Sequence, residues 1–340
     1  MEKELVANEY VREFAEVADI IRKTQQHIFR VANTALIDMY WEIGAYLTQK
    51  IETAKWGDGI VSQLANYIAK VLPEAKGFSD KNLWRMKQFY VTYRDDAEKL
   101  SPLVREISWT NNLIILSRTK SAKEREFYLN LCVCDRLSKR QLERQIDSSL
   151  YERSKAVEPK LSPLLREIAS SADEVFRDQY VMEFIGGNTY DTESSLKNAL
   201  VEQMKNFILE LGSDFIFIHK EYRLQVGNSD FRIDLLFYHR ELQCLVAFEL
   251  KMGKFEPAHL GQLNFYLEAL DRDVKKPHEN PSIGVLLCKD KDDEVVEYAL
   301  SRSLSPTMVA QYQLCLPDKA KLQRKMREIE ENLNRLEKDE

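Results

Sequence analysis

Four short apolar runs in the second half of the chain constrain its fold more than any other feature. Each run is a few residues long, rich in β-branched and aromatic side chains, and bounded by turn residues such as Gly227-Asn228. Runs of this kind predict β-strands. They cover residues 215–219, 222–226, 231–238 and 242–250. Because so few residues separate them, we expect neighbouring strands to pair antiparallel, as hairpins.

Helical segments and one further strand surround these runs. The sequence predicts helices over Leu196–Leu211, Leu260–Leu270 and Asp293–Ser301, and a strand over Ile283–Cys288. A helix, antiparallel strands, a helix and a strand in this order predict an α/β domain, in which helices flank a mixed sheet.

The first half of the chain has a different pattern and is predicted to be helical almost throughout. Apolar residues recur there at three- and four-residue spacing, which predicts amphipathic helices. One such series is Leu36, Met39, Tyr40, Ile43 and Leu47. After a helix predicted over 58–71, Gly77 suits a turn and Ser79 suits the N-cap of the next helix. This order is the outline of a helix-turn-helix unit.

These changes of pattern divide the chain into four segments. We predict an all-α, helix-turn-helix-like domain at 1–155, a connection at 156–190, the α/β domain at 191–317 and a charged helical tail at 318–340. In the tail, apolar residues are spaced alternately by four and three positions. They are Leu322, Met326, Ile329, Leu333 and Leu336. Because this heptad seam is short, self-association through the tail and packing on its own domain both remain open.

The overall charge restricts where a nucleic acid could bind. The formal net charge is -6, so such a site has to be a local basic patch. Residues 118–155 provide one, with ten Lys or Arg against six Asp or Glu. The five cysteines lack zinc-ligand spacing, and the sequence has neither a signal segment nor an apolar membrane span. We therefore expect a cytoplasmic protein with no membrane partner.

Charged residues inside two of the predicted strands indicate a reactive site. Asp234 interrupts one apolar strand, and Glu249 and Lys251 end the next on a common face, since strand side chains alternate. Burying such charges costs several kcal/mol unless they are paired or bind a metal. Two carboxylates can hold Mg²⁺, and the cation with the lysine suits phosphodiester hydrolysis. The alternative is an edge strand with Asp234 exposed and a surface Glu249–Lys251 ion pair.

Longer motifs around these residues are more specific. In the second half they are Arg232–Arg240, Phe248–Lys251 and Gly261–Leu267. In the first half they are Tyr40–Gly44, Trp56-Gly57, Lys76–Ser79, Asn82-Leu83 and Leu142–Ile146. Over roughly residues 15–315, these motifs resemble the YhcG-type family of bacterial PD-(D/E)xK nuclease-domain proteins.

The resemblance implies a PD-(D/E)xK, restriction-endonuclease-like fold with Asp234, Glu249 and Lys251 in the catalytic positions. It also implies that Gln262 supports the site and that Tyr266, one helical turn away, contacts DNA. The alternative is that Tyr266 packs between helix and sheet while Gln262 is solvated.

One position departs from the family pattern. Members tend to have Leu-Glu-x-Ala on the helix before the first strand, where this chain has Lys197 in place of the glutamate. The third acidic metal ligand is therefore open. We predict Glu202 as that ligand, with Glu193 as a second candidate.

Two helical segments supply candidate contacts to nucleic acid. Lys81, Asn82, Arg85 and Lys87 follow the Ser79 cap on the second helix of the proposed helix-turn-helix, where they could reach a major groove. Arg140 and Arg144, on a later helix, could contact phosphates. Ordinary solvated helix faces are the alternative for both.

These observations lead to two hypotheses. The first is an endonuclease that uses Mg²⁺ or Mn²⁺ to cleave DNA, with the N-terminal helical domain binding DNA, in genome defence or DNA processing. A homodimer through the helical segments or the tail would be compatible with it. The second is a nuclease-fold module that binds DNA or assembles but catalyses weakly or not at all, a possibility raised by Lys197.

Overall fold

The structure is a computed structural model that describes residues 2–53, 58–95, 97–156, 158–186, 190 and 192–328. The chain divides into two compact units, residues 1–143 and 144–340, named here the helical unit and the sheet unit. Trp56 and Gly57 of the sequence motifs, and Ile329, Leu333 and Leu336 of the tail seam, lie outside the described residues. In the part of the chain that is described, no helix is both long and apolar enough to cross a membrane.

The helical unit confirms the all-α character predicted for the first half of the chain. Its helices are α1 (Glu2–Glu52), α2 (Asp58–Val71), α3 (Asp80–Tyr93), α4 (Ala97–Glu106), α5 (Trp109–Arg118) and α6 (Ala122–Asp135). The boundary between the units falls within α7 (Lys139–Asp147).

The predicted turn and cap before α3 are both present. Gly77 has φ +93°, a conformation that glycine adopts without steric cost. The Ser79 hydroxyl accepts the backbone N–H of Asn82 at 3.3 Å and so caps the helix. The Asn82 amide donates to the Gly77 carbonyl at 2.5 Å and accepts from the Trp109 indole at 3.2 Å. Asn82 is therefore engaged in holding this turn.

A close approach of α1 and α3 depends on one glycine. A Cβ atom at Gly44 would lie only 2.3 Å from the carbonyl oxygen of Met86. Ile37 and Leu47 of α1 and Phe89 of α3 are fully buried around this crossing. The second half of α1 therefore belongs to the core of the helical unit.

The sheet unit has helices on both sides of a seven-stranded sheet. After α8 (Leu150–Ala156), its first elements are β1 (Lys160–Leu161), α9 (Pro163–Ile168), α10 (Ala172–Val175), β2 (Gln179–Val181), α11 (Glu193–Glu202) and α12 (Met204–Leu211). The remaining elements are β3 (Phe215–Val226), β4 (Ser229–His239), β5 (Cys244–Lys254), α13 (His259–Ala269), β6 (Ile283–Asp290), α14 (Asp293–Leu300) and β7 (Thr307–Gln313).

The sheet is mixed, as predicted. Its strand order is β1-β7-β6-β5-β4-β3, and β2 also pairs with β7. The strands β3, β4 and β5 pair antiparallel, whereas β5, β6 and β7 pair parallel. Because consecutive side chains alternate between faces, Leu235 and Phe248 pack on the α11–α12 side and Leu236 and Ala247 on the α13 side.

Several elements differ from the sequence expectations. The segment 156–190, expected to be a connection, supplies β1 and β2, whose partners on β7 are too distant in sequence for a local pattern to reveal. The helix predicted over 196–211 is interrupted at Gln203. The runs 215–219 and 222–226 form one strand, β3, with a bulge after Phe217 and φ +53° at Glu221.

A buried ion-pair network joins α7, α8 and α12 within the sheet unit. Glu210 is fully buried and contacts Arg153 at 2.9 Å and Arg144 at 3.1 Å. Burial alone would raise the pKa of Glu210, but the arginine charges outweigh it and lower the pKa below its usual value. Arg144 also donates to Glu183 at 2.7 Å and to the Val181 carbonyl at 2.9 Å.

This network corrects the prediction that Arg144 contacts phosphates. Its guanidinium is directed into the sheet unit, where the side chain is only 16% exposed. Helical spacing alone could not reveal its partners, because Glu183 and Glu210 come from remote parts of the sequence.

We expect Glu210→Gln to destabilise the sheet unit by about 3–5 kcal/mol, because the buried Arg153 loses its counter-charge. Hydrogen exchange of the β4 and β5 amides in the full chain measures this effect. All four tryptophans lie in the helical unit, so their fluorescence should report an unchanged transition there. Glu174→Gln, an exposed glutamate of α10, is the control; an equal effect of both variants would contradict a role for the network.

Candidate active site

The two predicted carboxylates meet where β4 and β5 separate. The last paired residues of the two strands are Leu235 and Phe248. Just beyond them, Asp234 Oδ2 accepts the backbone N–H of Leu250 at 3.0 Å. Glu249 Oε1 in turn accepts the backbone N–H of Asp234 at 3.3 Å. The carboxylates thus accept backbone N–H groups that are not hydrogen-bonded to the neighbouring strand's backbone. These hydrogen bonds hold the two side chains next to each other.

Lys251 lies on the same face as Glu249, as the strand alternation predicts. Its Nζ is 3.8 Å from Glu249 Oε2 and 3.6 Å from Oε2 of Glu193, the first residue of α11. The intervening Leu250 points to the opposite side and is buried in the apolar core. The structure therefore brings Asp234, Glu249 and Lys251 together at one end of the sheet.

Lys197, which stands where family members tend to have a glutamate, is also part of the site. Its Nζ donates to Asp234 Oδ1 at 2.8 Å and lies 3.0 Å from Glu221 Oε1. Burial alone would lower the pKa of Lys197, but its hydrogen bonds to Asp234 and Glu221 outweigh this and raise it. The departure from the family pattern marked the position, but only the fold shows that α11 brings its ammonium onto Asp234.

Burial has the largest effect on the ionisation of Glu249. Its side chain is only 4% exposed. Burial, followed by the neighbouring charge of Asp234, raises the pKa of Glu249 to about 8, although Lys251 acts in the opposite direction. Ionised Glu249 would therefore be stabilised by a further cation beside the two carboxylates.

The predicted third ligand is not part of this cluster. Glu202 ends α11 with an exposed side chain, and no contact between it and the two strand carboxylates occurs among the described residues. Glu193, the second candidate, begins α11 and faces Lys251. In the described ranges of the chain, no group of three or more His, Cys, Asp or Glu side chains could hold a metal ion.

A two-carboxylate site nevertheless fits a hard divalent cation. Mg²⁺ is commonly held by one or two carboxylates, with water and substrate phosphate completing its coordination. Asp234 and Glu249 provide oxygen donors of this type, and a cation beside them would favour the ionised form of the buried Glu249.

Gln262 and Tyr266 lie on α13 and contact each other. Gln262 Nε2 donates to the Tyr266 hydroxyl at 2.5 Å. The Tyr266 ring is 3% exposed and belongs to the core between α13 and the sheet. Burial and the charges of Glu249 and Asp234 raise the pKa of Tyr266, although Gln262 opposes the shift. Burial favours the packing interpretation of Tyr266 over direct DNA contact, and Gln262 is exposed.

The residues of the helical unit that are candidates for nucleic-acid contact differ in solvent exposure. Lys81 and Arg85 are exposed on α3, and Arg140 is exposed on α7. Lys87 is half-buried, with its Nζ 5.4 Å from the centre of the Trp84 ring. Lys81, Arg85 and Arg140 are therefore better placed to meet a phosphate backbone than Lys87 or the turn residue Asn82.

Glu249→Gln should stabilise the metal-free protein relative to wild type at high pH. The pKa of Glu249 is about 8 in the folded protein and 4.5 in the unfolded chain. Wild type therefore loses stability as the pH rises from 4.5 through about 8. Glutamine mimics the protonated side chain, so the difference in melting temperature should be small near pH 5 and largest above pH 8. Thermal unfolding in chelator measures it, with Glu256→Gln as the exposed control; the opposite pH trend would contradict the assignment.

Both halves of the chain match known families. Residues 173–327 match the family described as YhcG PDDEXK nuclease domain, and residues 16–153 match the DUF1016 N-terminal domain. The Escherichia coli (strain K12) protein named "Putative nuclease YhcG" is 30% identical, over 90% of this chain and 90% of that protein.

Two solved structures overlap with part of the chain. One is a repair endonuclease from Pyrococcus abyssi, with 16% identity, a TM-score of 0.26, and coverage of 39% of this chain and 50% of that chain. The other is an EndoMS–dsDNA2 complex, with 15% identity, a TM-score of 0.26, and coverage of 39% and 48%. The chain spans about half the length of these two structures.

The family matches confirm the predicted PD-(D/E)xK fold class. The nuclease-domain family matches residues of the sheet unit, and one relative is 30% identical over 90% of the chain. This protein therefore belongs to the YhcG family of PDDEXK nucleases.

Proposed function

We propose that the chain is a divalent-metal-dependent endonuclease that hydrolyses phosphodiester bonds of DNA. The observation that carries the proposal is the convergence of Asp234 and Glu249 where β4 and β5 separate, with Lys251 on the same face. A buried carboxylate, Glu249, and a partly buried one, Asp234, beside an ammonium group suit the metal-assisted hydrolysis of an anionic ester.

The proposed metal site consists of Asp234 and Glu249. PDDEXK nucleases generally use divalent metals, and the oxygen donors of this site suit Mg²⁺ or Mn²⁺. When bound, such an ion polarises the phosphodiester and lowers the pKa of a coordinated water molecule. The backbone N–H donors of Asp234 and Leu250 hold the two carboxylates in place, so they need little rearrangement for this role.

Lys251 is the proposed partner of the attacking water and the phosphate. Its side chain is 15% exposed, so its ammonium can donate to groups at the mouth of the site while it lies within 4 Å of the Glu193 and Glu249 carboxylates. A cation placed there stabilises the charge that develops on the phosphate in the transition state. Gln262, exposed one turn before Tyr266, is proposed to support the same end of the sheet.

DNA is the proposed substrate, with the helical unit contributing to binding. Lys81 and Arg85 are four residues apart on α3 and therefore share one face of the helix. With exposed Arg140, they can contact phosphates without reading sequence. The biological setting that we propose is genome defence or DNA processing.

Lys197 favours a second candidate function, a DNA-binding or assembly module with weak catalysis. Its ammonium lies 2.8 Å from Asp234, so its positive charge opposes the binding of a divalent cation. If Lys197 kept metal out under all conditions, the fold would retain a nuclease site without its activity. Metal affinity is therefore the property that separates the two candidates.

Asp234→Ala and Lys251→Ala should each lower DNA cleavage with Mg²⁺ or Mn²⁺ by about 100-fold or more, because Asp234 would hold the metal ion and Lys251 would stabilise charge on the reacting phosphate. Cleavage of a panel of duplex, single-stranded and branched DNA measures this, together with DNA affinity, which should change little. The matched controls are Asp230→Asn on β4 and Lys254→Ala on β5, both exposed. Activity equal to wild type in either site variant would contradict the assignment.

Lys197→Met should strengthen Mn²⁺ binding by about tenfold or more, because it removes a positive charge beside Asp234. Calorimetric titration and the rise of melting temperature with Mn²⁺ both report this without requiring catalysis. Lys220→Met, at a partly exposed lysine of β3 that contacts Asn198, is the control. If neither wild type nor Lys197→Met bound metal at millimolar concentration, the second candidate function would be preferred.

A further inference from the structure

A cleft of about 740 Å³ lies in the helical unit, formed by α1, the start of α5 and the turn from α6 to α7. Three of its apolar lining residues, Ile107, Cys132 and Leu137, are buried. Phe29 of α1 also lines the cleft and is 75% exposed. Clefts of about 300–1,000 Å³ enclose drug-sized ligands, so this one can enclose a unit such as a nucleotide but not a double helix.

Three exposed cations, Arg30, Arg136 and Lys139, line the same cleft together with the acidic Glu106. Lys139 lies 3.8 Å from Glu143. Within the described residues, by contrast, the guanidinium groups of Arg30 and Arg136 have neither an ion pair nor a side-chain hydrogen bond. The lining therefore carries more positive than negative charge, and an anion is the ligand that complements it.

The turn that carries Arg136 is fixed by hydrogen bonds around it. Arg136 ends α6 with φ +48°, a left-handed conformation that is uncommon for residues other than glycine. On its C-terminal side, Asn111 Nδ2 donates to the Leu137 carbonyl at 2.8 Å. The backbone N–H of Ser138 donates to Gln141 Oε1 at 2.7 Å. The backbone of Arg136 is therefore positioned at the cleft before a ligand binds.

Asn111 also leaves a hydrogen-bond acceptor beside the cleft. The residue lines the cleft and is only 5% exposed, and its Oδ1 accepts no hydrogen bond from any residue that the structure describes. A buried acceptor without a donor is costly. The amino groups of nucleobases are donors of the kind that this acceptor lacks.

A second cleft, of about 380 Å³, adjoins the first. Thr110 and Lys139 line both clefts, and Arg85 and Gln88 of α3 line only the second. Cations therefore follow one another from Arg30 in the first cleft, through the shared Lys139, to Arg85 in the second. A row of positive charge along adjoining clefts suits a polynucleotide, whose phosphates repeat along the chain, better than it suits a single small anion.

We propose that these two clefts bind a single-stranded segment of DNA, with a base stacked on Phe29 and phosphates beside Arg30, Arg136 and Lys139. An aromatic side chain beside a basic groove is the combination by which proteins bind single strands without reading their sequence. The bases of a duplex stay stacked on each other and offer no free face to Phe29. This recognition rests on the proposed function as a DNA endonuclease, and it favours substrates with an unpaired segment, such as a branch or a frayed end.

Fluorescence anisotropy of labelled oligonucleotides, measured with the full chain in chelator, tests the proposal without cleavage. Phe29→Ala should weaken binding of a mixed-sequence DNA strand about tenfold or more, because a stacking platform is lost, and should change binding of the corresponding duplex less than about twofold. Phe14→Ala, at a residue 67% exposed on the same helix, is the matched control. No loss with Phe29→Ala, or an equal loss for strand and duplex, would overturn the proposal.

The salt dependence of strand binding tests the phosphate contacts. Arg136→Gln should make the slope of log affinity against log salt concentration shallower by about 0.7, the contribution of one phosphate contact on a single strand. Arg302→Gln, at an exposed arginine of the sheet unit, is the control. Phe29 and Arg136 are both exposed, so circular dichroism should show unchanged folding in each variant. A slope equal to that of wild type would contradict a phosphate contact of Arg136.

Photo-crosslinking identifies where the strand binds. A DNA strand that contains 5-iododeoxyuridine, irradiated with the full chain in chelator, should cross-link to the peptide that contains Phe29, and far less in Phe29→Ala. An RNA strand of the same sequence and poly-glutamate of equal charge serve as competitors. Cross-linking confined to the RNA strand, or displacement of the DNA strand by poly-glutamate at equal charge concentration, would indicate another class of ligand and overturn the proposal.

The outcomes separate this site from the proposed catalysis. Cleft-dependent binding of the DNA strand, together with a wild type that cleaves no DNA in the presence of Mg²⁺ or Mn²⁺, would refute the endonuclease and support the cleft. Cleavage that depends on Asp234, together with strand binding that Phe29→Ala and Arg136→Gln leave unchanged, would refute the cleft alone.

Discussion

The candidate active site depends on one interruption in the hydrogen bonding of the sheet. Where β4 and β5 stop pairing, the carboxylates of Asp234 and Glu249 accept backbone N–H groups of the neighbouring strand. Buried backbone donors must find acceptors, so this arrangement satisfies the backbone and fixes two acidic side chains together. Parallel pairing of β5 with β6 then keeps the end of β5, including Lys251, rigidly in register. The chemistry of the site follows from how the strands separate.

The charge of the site is more balanced than two carboxylates and one lysine would suggest. Lys197 compensates the charge of Asp234 from α11, whereas burial, followed by the charge of Asp234, raises the pKa of Glu249. The two acidic residues therefore differ in their electrostatic surroundings: Asp234 is paired with the Lys197 ammonium, and the ionised form of Glu249 would be stabilised by a further cation. This asymmetry distinguishes the site from a simple pair of metal-binding carboxylates. The metal affinity of the site is therefore the property that separates the two candidate functions.

The long helix α1 has an apolar face along both of its halves, but only the face of the second half is buried in the helical unit. Its second half buries an apolar face against α3, and Gly44 allows the helix backbones to approach closely. Its first half presents an apolar stripe of similar width to solvent. Since the burial of apolar area stabilises amphipathic helices, only the second half gains this stabilisation within the helical unit.

The sequence by itself determined the α/β class, the shared face of Glu249 and Lys251, and the turn at Gly77 with its Ser79 cap. Each follows from local periodicity or backbone preference. Only the tertiary structure decided the partners of Arg144, the burial of Tyr266, the strands β1 and β2, and the approach of Lys197 to Asp234. These depend on contacts between residues far apart in the chain, and no local pattern specifies which distant charge or strand will be the neighbour.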